Sequence, residues 1–470
     1  MTNILDQIVA EKQEEVKRLK EQFDPEALRR LARPGPQRFY PALVEARKTG
    51  RPFLIAEFKR KSPSEGWINR DVAVADQVGA YVAAGVSAVS VLTDTPFFGG
   101  SYADLQAAAQ TLQAGKTART PLLLQKDFVI DPIQIYLARL QGADIILLIA
   151  AILTPERLSM LRQIAERLGM GVLVEVHNLA ELDRIKHLDF PVLGINSRDL
   201  KTFRTALNRV NVLAKHAGRR FIIAESGIRD YRDMQIVRKA DGFLIGTTLM
   251  HARVPEAQNR GAGIAHLNLS APPSLLFKAC GIRDAAMLCH PAADYVGVNF
   301  SSASRRRIDP QALEGVALPA HAVAVFYQNP ESEIRETLAR YPFRIVQLYA
   351  GDATPEFVRS LRQKVFLACR IRETADLEQL EDYAADVDLF ILDGAIPGSG
   401  ERIAATIPAD FPYPFLLAGG LHAGNLGAVS GFANCIGVDI ATGIETDGAV
   451  DEQKIRAIAQ QLSAQPLQSS

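Results

Sequence analysis

The chain has 470 residues, of which 48% are hydrophobic, so it is long enough to bury the cores of two or three domains. Its 53 Lys and Arg residues balance 53 Asp and Glu residues, and this zero net charge argues against a broad surface for nucleic acid or anionic membranes. The longest apolar run, residues 145–153, is much shorter than the ~20 residues that a membrane-spanning helix needs.

The cysteines and the N-terminus indicate a reducing compartment. Cys280, Cys289, Cys369 and Cys435 all lie in the second half and none is spaced as CxxC, which argues against a zinc ribbon or a dense disulfide framework. The N-terminus is amphipathic and charged, unlike a signal peptide. We therefore expect a cytoplasmic protein without a bound metal. Its oligomeric state stays open, a monomer included.

The first fifty residues are predicted to be largely helical. Apolar side chains recur there at helical spacing, and the stem of Lys12 falls on the same face. Pro25, Pro34 and Pro36 then divide the chain into short pieces. The apolar residues on the shared face are Leu5, Ile8, Val9, Val16 and Leu19.

A repeating pattern of short apolar runs, each followed by a helical stretch, begins after residue 50. The first half contains eight such runs, and their spacing suits a strand, a loop and a helix. Eight strand–helix units fit a closed (β/α)8 barrel better than an open sheet. The predicted strands are Phe53–Glu57, Ala88–Leu92, Leu122–Gln125, Asp144–Ile149, Gly171–Glu175, Val192–Ile195, Phe221–Ala224 and Gly242–Ile245.

The pattern restarts after residues 251–273, where periodicity is weak, and eight further runs follow. We therefore predict an α/β protein of two tandem (β/α)8 TIM barrels, the first with a helical N-terminal extension. The predicted domains are residues 1–268 and 269–470. The strands of the second barrel are predicted at Leu275–Ala279, Tyr295–Asn299, Val323–Phe326, Arg344–Leu348, Val365–Ala368, Asp388–Leu392, Pro414–Ala418 and Ile436–Ile440.

Charged and polar residues stand at the strand ends of the first half, which is where such barrels build active sites. They are Glu57, Lys59, Lys126, Glu175 and Asn196. Lysines and carboxylates crowded into one barrel mouth shift each other's pKa, as general acid–base catalysis requires. A single such residue is more often a solvated rim residue or an ion-pair member, but several strand ends together weaken that alternative.

Two glycine-containing segments of the first half are candidates for phosphate binding. Ser226-Gly227 and Gly246-Thr247 are each predicted to open a helix, where free backbone N–H groups and the helix dipole favour anions. They follow the seventh and eighth strands, where barrels commonly bind phosphate. The alternative is that Gly227 and Gly246 only make tight turns.

A thiol and a carboxylate at strand ends of the second half are a candidate base and acid. Cys280 follows the first strand, where a ligand could reach it, and Asp393 follows the sixth. The other three cysteines are assigned a structural role, because a lone cysteine is usually a small buried apolar residue. The run Arg305–Arg307 is either an anion contact or a solvated charge cluster.

The first half resembles indole-3-glycerol-phosphate synthase over nearly all of residues 1–262, including the amphipathic extension. The segments that carry the resemblance are Ala56-Glu57-Phe58-Lys59-Arg60-Lys61-Ser62-Pro63-Ser64, Ser90-Val91-Leu92-Thr93-Asp94, Lys126-Asp127-Phe128, Glu175-Val176-His177, Gly194-Ile195-Asn196-Ser197-Arg198-Asp199-Leu200 and Ala224-Glu225-Ser226-Gly227-Ile228.

The second half resembles phosphoribosylanthranilate isomerase over about residues 273–460. The carriers are Lys278-Ala279-Cys280-Gly281-Ile282, Ser304-Arg305-Arg306, Leu392-Asp393, Gly398-Ser399-Gly400, Leu417-Ala418-Gly419-Gly420-Leu421 and residues 439–445. Three segments depart from the family pattern. Tyr349 stands where that family usually has histidine, Pro397 where it has glycine, and Ile403-Ala404-Ala405 where it has an aromatic-Asp-Trp run. The order of the halves is similar to that of the fused bifunctional enzyme of bacterial tryptophan synthesis.

The resemblance implies a carboxy-lyase in the first half. Lys126 would act as general acid on the substrate ketone and Glu175 as general base in the dehydration. Lys59, Glu57 and Asn196 would position groups and stabilise charge, while Glu225 would order the lysine network. The implied substrate-binding residues, mostly for phosphate, are Ser62, Arg198, Ser226, Gly227, Gly246 and Thr247.

The resemblance implies an intramolecular oxidoreductase, performing an Amadori rearrangement, in the second half. Asp393 would protonate the furanose oxygen and Cys280 would remove the C2 proton, while Arg306 would hold the anthranilate carboxylate. The other implied substrate-binding residues are Gly398, Gly419, Gly420, Asp439, Thr442 and Gly443. The ligands would be small phosphorylated anthranilate sugars, and no metal or organic cofactor is expected.

Two other hypotheses stay open at this point. Lys126 at a strand end could form a Schiff base, as lysine-dependent aldolases do. The second barrel, with its departures from the family pattern, could instead be a non-catalytic partner of the first.

Overall fold

A computed structural model describes residues 4–115, 120–199, 202–251, 274–394 and 407–465. Two compact units divide the chain. The first comprises Met1–Thr205, Leu213–Tyr231 and Lys239–Leu269, and the second comprises Ala206–Val212, Arg232–Arg238 and Ser270–Ser470. The predicted domain boundary at residue 268 lies outside the described residues.

The first barrel closes as predicted. Each strand pairs in parallel with its sequence neighbours, and the eighth pairs with the first. The strands are β1 (Phe53–Phe58), β2 (Ala88–Leu92), β3 (Leu122–Lys126), β4 (Ile145–Ile149), β5 (Gly171–Val176), β6 (Val192–Asn196), β7 (Phe221–Glu225) and β8 (Gly242–Ile245).

The predicted strands are confirmed to within a residue at either end, and the differences fall where chemistry was expected. Lys126, Asn196 and Glu225 are the last residues of their strands, not the first residues beyond them. Their backbones therefore belong to the hydrogen-bonded barrel, which holds them more firmly than a loop would.

Helices precede the first barrel and connect its strands. Several begin with a side-chain cap, for example Asp94, Ser101 and Thr154. The helices are α1 (Ile4–Gln22), α2 (Pro25–Leu31), α3 (Phe39–Thr49), α4 (Val74–Ala83), α5 (Thr95–Phe98), α6 (Tyr102–Ala114), α7 (Pro132–Leu140), α8 (Pro155–Arg167), α9 (Leu179–Ile185), α10 (Asn208–Ala214), α11 (Tyr231–Ile236) and α12 (Thr247–His251).

The N-terminal extension is helical as predicted, and its third helix packs into the barrel. Phe39 and Leu43 of α3 are fully buried in one cluster with the first residues of several strands, such as Phe53 and Val192. This end of the barrel is therefore filled with apolar side chains, which leaves the opposite, C-terminal end for polar groups.

The second barrel also closes, with the same parallel neighbour pairing. Its strands are β9 (Leu276–Cys280), β10 (Tyr295–Asn299), β11 (Ala322–Val325), β12 (Ile345–Tyr349), β13 (Lys364–Ile371), β14 (Leu389–Gly394), β15 (Phe415–Ala418) and β16 (Cys435–Ile440). Its α-helices are α13 (Glu331–Arg340), α14 (Pro355–Ser360), α15 (Ala375–Glu378) and α16 (Glu452–Ser463).

The expectation of a helical stretch after every strand is too simple for this barrel. Several described connections contain 3-10 helices and no α-helix; residues 281–294, for instance, join β9 to β10. These short helices are Ala285–Cys289, Pro310–Leu313, Gln379–Tyr383, Leu426–Gly431 and Thr442–Ile444.

Candidate active site

Three strand ends of the first barrel bring one ammonium between two carboxyl groups. Lys126 Nζ lies 3.3 Å from Glu175 Oε2 and 3.3 Å from Glu225 Oε2. Both carboxyl groups are almost completely buried. The prediction that Lys126 and Glu175 share one hollow is confirmed by this contact.

Glu57 and Lys59 form a second pair in the same mouth, as strand alternation predicted. Lys59 Nζ lies 3.0 Å from Glu57 Oε1. Two glycines leave room for the carboxyl groups. A Cβ atom on Gly246 would lie 2.3 Å from Glu57 Oε1, and one on Gly194 would lie 2.3 Å from Glu225 Oε1.

Neighbouring charges separate the pKa values of these groups. Burial raises the pKa of Glu175, but Lys126 and His177 outweigh it and hold that pKa well below its usual range. Burial and the Glu175 charge both raise the pKa of Glu225 far above normal. Burial opposes the charge on Lys126, yet the neighbouring charges, that of Glu175 above all, raise its pKa. A carboxyl group with a lowered pKa, one with a raised pKa and an ammonium therefore share the mouth, a set that can both donate and accept protons.

His177 is a site residue that the sequence reasoning quoted only as part of a motif. Its ring is buried, with Nε2 3.1 Å from Glu175 Oε1 and Nδ1 3.2 Å from Glu181 Oε2. Burial lowers the pKa of His177, but the two carboxylates raise it to about 9. The imidazole is therefore a cation at neutral pH, on the opposite side of Glu175 from Lys126.

The two candidate phosphate segments differ from each other. Thr247 begins α12 directly after Gly246, as predicted. The prediction that Ser226-Gly227 opens a helix is wrong, because α11 begins only at Tyr231. Ser226 and Gly227 instead adopt φ values of 67° and 77°. Consecutive left-handed residues cannot start a right-handed helix, although they can turn backbone N–H groups toward one point.

Loops after β1 and β6 meet beside this segment. Arg198 donates from its guanidinium to Ser64 Oγ at 3.0 Å and from its backbone to Asn196 Oδ1 at 3.0 Å. Ser62 is buried, and its hydroxyl lies 3.4 Å from that of Ser64. Ser62, Arg198 and Asn196 are therefore brought to one side of the mouth.

In the second barrel the candidate thiol lies beside a buried lysine that the sequence reasoning did not assign. Lys278 is fully buried and its Nζ is 2.9 Å from Asp439 Oδ1. A Cβ atom on Gly297 would lie 2.8 Å from Cys280 Sγ and 3.1 Å from Lys278 Nζ, so both groups occupy the space that this glycine leaves. Burial raises the pKa of the Cys280 thiol, and the Lys278 ammonium opposes that rise.

Asp393 is the penultimate residue of β14, not a residue beyond the strand as predicted, and it shares the mouth with an aromatic residue. Burial and the Asp439 charge raise the pKa of Asp393 to about 6. Burial raises the pKa of Tyr349, which stands where the family usually has histidine, and the nearby Asp393 and Cys280 raise it further. Arg370 donates to Tyr327 at 2.7 Å and lies over that ring, 4.1 Å from its centroid.

Arg306 does not stand free in the mouth. Its Nε is 2.5 Å from Glu445 Oε1, and its terminal nitrogen donates to Glu445 Oε2 at 2.8 Å and to Thr442 Oγ1 at 3.0 Å. Gly281, with φ 85°, makes room for it, since a Cβ there would lie 2.4 Å from Arg306 Cδ. A substrate carboxylate at Arg306 must therefore share the guanidinium with Glu445.

Glycines at the ends of β15 and β16 form the remaining part of this site. Gly419 and Gly420 adopt φ values of 92° and 63°, which favour glycine. Gly443 lies against the backbone, since a Cβ there would lie 2.0 Å from the carbonyl oxygen of Leu421. The predicted substrate contact Gly398 lies outside the described residues.

The remaining cysteines divide into two kinds. Cys369 and Cys435 are buried, as their structural assignment requires. Cys289 is exposed, so a place in the core is wrong for it. It ends a short 3-10 helix, where the turn faces solvent.

Two family models match the chain in order. "Indole-3-glycerol phosphate synthase" matches residues 5–260, and "N-(5'phosphoribosyl)anthranilate (PRA) isomerase" matches residues 278–461. The described helices include none with the length and apolar character needed to cross a bilayer.

Curated relatives match along the whole chain or along its first half. A "Tryptophan biosynthesis protein TrpCF" from Salmonella typhi is 33% identical over 97% of this chain and 98% of its own length. One from Yersinia pestis is 34% identical over 87% of this chain and 84% of its own. An "Indole-3-glycerol phosphate synthase" from Azoarcus sp. (strain BH72) is 42% identical over 57% of this chain and 99% of its own.

Both barrels thus have a family match that covers their strand ends, and relatives of nearly full length carry both halves in the same order. The chain therefore belongs to the bifunctional tryptophan-biosynthesis family in which an indole-3-glycerol-phosphate synthase barrel is followed by a phosphoribosylanthranilate isomerase barrel.

Proposed function

We propose that the residues gathered at each barrel mouth catalyse the reaction of that barrel. The second barrel isomerises N-(5-phosphoribosyl)anthranilate to the carboxyphenylamino-deoxyribulose phosphate, and the first closes and decarboxylates that product to indole-3-glycerol phosphate. The observation that carries the proposal is the same in both barrels: a largely buried lysine on one strand is paired with a carboxylate on another, Lys126 with Glu175 and Lys278 with Asp439.

In ring closure, Lys126 donates a proton to the substrate ketone oxygen while the anthranilate ring carbon attacks. Carbon dioxide then leaves, and loss of water completes the indole. Glu175, which stays ionised, accepts a proton during the dehydration. Glu57, Lys59 and Asn196 position the substrate and stabilise charge, and Glu225 holds Lys126 in place.

The substrate phosphate is placed in the adjoining loops. Ser226, Gly227, Gly246 and Thr247 offer backbone N–H groups at turned or helix-starting positions. Ser62 and Arg198 complete this part of the site from the loops that follow β1 and β6, the strands that neighbour β8 and β7 respectively. Phe98 and Phe128, whose ring centroids are 6.0 Å apart, offer apolar surface for the aromatic ring beside Lys126.

In isomerisation, Asp393 protonates the furanose ring oxygen, which opens the ring to an iminium. Cys280 then removes the C2 proton, and the resulting enol becomes the ketone. Lys278 stabilises the thiolate, with Asp439 holding that ammonium in place. Arg306 holds the anthranilate carboxylate, while Gly398, Gly419, Gly420, Thr442 and Gly443 hold the phosphate.

A Schiff-base role for Lys126 has less support. An amine that attacks a carbonyl must lose its proton, but the flanking carboxylates raise the pKa of Lys126. Borohydride trapping with the keto-sugar phosphate is expected to leave no adduct.

We also place both reactions in the cytoplasm, since all four cysteines are free thiols, as in a reducing compartment.

The direct test is to supply phosphoribosylanthranilate to the full chain and to follow both products. We expect the isomerised intermediate first and indole-3-glycerol phosphate after it. Accumulation of the intermediate without indole formation would contradict the roles proposed for the first mouth. If phosphoribosylanthranilate gives no intermediate, while added intermediate is still converted to indole-3-glycerol phosphate, then the second barrel is a non-catalytic partner.

His177→Gln is expected to move the acidic limb of the ring-closure pH profile to higher pH. His177 is a cation below about pH 9 and holds the pKa of Glu175 down, so its loss raises that pKa and protonates the base at acidic pH. We expect the midpoint of the acidic limb to rise by about one pH unit, as for a pKa change of about one, and the profile near pH 8 to be unaffected by that shift. His187→Gln, at an exposed histidine of the same barrel, is the control and leaves the profile unchanged. An unshifted His177→Gln profile would contradict the electrostatic role.

Gly246→Ala is expected to lower kcat for ring closure by roughly tenfold, because the new Cβ would displace the Glu57 carboxylate from Lys59. The backbone N–H groups remain, so KM should change little. Gly79→Ala is the matched control, since a Cβ on that helical glycine has nothing within 4 Å. Steady-state kinetics on the isomerised intermediate would measure both variants, and equal kcat values would contradict the prediction.

A further inference from the structure

The N-terminal helix α1 carries a lysine that has no contact with solvent. Lys12 lies on the buried face of α1 with Ile8 and Val16, and its side chain is 0% exposed. A lysine is almost never fully buried unless its charge is paired. The groups that pair with Lys12 therefore indicate what holds this helix in place.

Three carboxylates surround the Lys12 ammonium. Its Nζ lies 2.8 Å from Asp127 Oδ1, 3.3 Å from Asp94 Oδ2 and 2.7 Å from Glu15 Oε2. Glu15 belongs to α1 itself, whereas Asp94 and Asp127 follow β2 and β3 at the C-terminal end of the barrel. Helix α1 is therefore tied to the same end of the barrel that holds Lys126.

Asp127 is the residue directly after Lys126, and both oxygens of its carboxylate accept hydrogen bonds or ion-pair contacts. Oδ1 accepts from the backbone of Phe128 at 2.7 Å as well as contacting Lys12, and Oδ2 accepts from the Thr93 hydroxyl. Successive side chains at a strand end point to opposite sides. Holding Asp127 behind the barrel wall therefore fixes the direction in which Lys126 enters the mouth.

Asp94 extends the same arrangement to the neighbouring loop. Its Oδ1 caps α5 by accepting from the backbones of Phe97 and Phe98, at 2.9 and 3.2 Å. Phe98 in turn contacts Phe128, with ring centroids 6.0 Å apart. One ammonium on α1 thus joins the two loops that flank the Lys126 strand end.

We propose that Lys12 is a positioning residue for ring closure: it acts through Asp127 to hold the Lys126 ammonium between Glu175 and Glu225. This inference rests on the general-acid role proposed for Lys126. The N-terminal extension is then part of the catalytic apparatus, not only a cover for the barrel.

The test uses Lys12→Met in the full chain, assayed on the isomerised intermediate so that isomerase activity does not limit the rate. We expect kcat for ring closure to fall roughly 10- to 100-fold, as misplacement of a catalytic group by about 1 Å does, with KM within about twofold of wild type. Lys20→Met is the matched control. Lys20 also ties α1 to the barrel, with Nζ 2.7 Å from Asp131, but that contact is at the cap of α7. Its kcat should stay unchanged.

A double-variant cycle then tests the route through Asp127. Asp127→Asn should lower kcat by a similar factor, and Lys12→Met with Asp127→Asn should be no worse than either alone, because the two act as one unit. Additive losses would overturn the route. Lys12→Gln, which keeps a donor toward Asp127, replaces Lys12→Met if that variant does not fold.

Unchanged kcat with a lowered melting temperature would make Lys12 a purely structural residue and overturn the proposal, as would failure of both variants to fold. These outcomes are separate from failure of the proposed function. If Lys126→Met keeps full ring-closure activity, the general-acid role itself is wrong, whatever Lys12 does.

Discussion

Lys126→Met is expected to abolish formation of indole-3-glycerol phosphate while leaving isomerisation intact. Methionine keeps much of the length of lysine but has no proton to give to the ketone oxygen. It also leaves Glu175 and Glu225 without the ammonium that lies 3.3 Å from each. Loss of a general acid typically costs about 10²- to 10⁴-fold in rate, and the disturbed carboxyl pair places our expectation at the upper end.

Two assays on the same purified variant would measure this result. With phosphoribosylanthranilate as substrate, the isomerised intermediate should accumulate at the wild-type rate. With that intermediate as substrate, indole formation should be close to background. The retained isomerase activity reports only on the second barrel, so circular dichroism and thermal unfolding are needed to show that the first barrel is folded. Loss of both activities in a folded variant would contradict independent catalytic sites.

Asp393→Asn and Cys280→Ala are expected to give the reverse result, with isomerisation reduced by about 10²- to 10⁴-fold and ring closure of added intermediate unchanged. Asparagine cannot protonate the ring oxygen, and alanine cannot accept the C2 proton. Cys435→Ala, at a buried cysteine elsewhere in the same barrel, is the matched control and should keep isomerase activity. A Cys280→Ala variant with wild-type isomerase activity would rule out the thiol as the base.

The pH profile of the isomerase distinguishes these roles further. Asp393 must be protonated and its pKa is raised to about 6, whereas Cys280 must be ionised and burial raises its pKa from the usual thiol value. Below about pH 6, kcat/KM should rise with pH, because Asp393 stays protonated while the ionised fraction of Cys280 grows. Above about pH 6 the loss of protonated Asp393 offsets that growth, so kcat/KM should stay level, and it should fall once the thiol is fully ionised. In Asp393→Asn the level region should disappear, and the residual rate should climb with pH until the thiolate forms. A level region that survives in Asp393→Asn would assign the acid role to another group.

Much of the fold could be predicted because its signals are local. Each strand is a short apolar run bounded by polar or turn-forming residues, so periodicity locates all sixteen to within a few residues. Lys126, Glu175 and Asp393 were found by the same reasoning, since residues at the ends of parallel barrel strands must meet at one mouth. No pairing information was needed for that step.

The features that sequence reasoning missed or placed wrongly depend on residues distant in sequence. It did not show that Arg306, proposed to hold the anthranilate carboxylate, is also paired with Glu445, 139 residues away. The predicted helix at Ser226 begins later because the backbone there turns with positive φ, which only the surrounding barrel makes favourable for a serine. The spacing of residues along the chain predicts neither the Arg306–Glu445 ion pair nor the positive φ at Ser226.

Sequence alone determined the two-barrel architecture and the acid and base candidates at each mouth, because periodicity and strand order are properties of the chain itself. The family was indicated by the resemblance of the motifs at the strand ends. Tertiary structure alone decided which charges touch. It placed His177 between two carboxylates, Lys278 beside Cys280, and Lys12 against Asp127, the residue after Lys126. Those contacts set the protonation states of the groups, because the energy of a charge in a buried site depends on the distance to its neighbours and not on their separation in sequence.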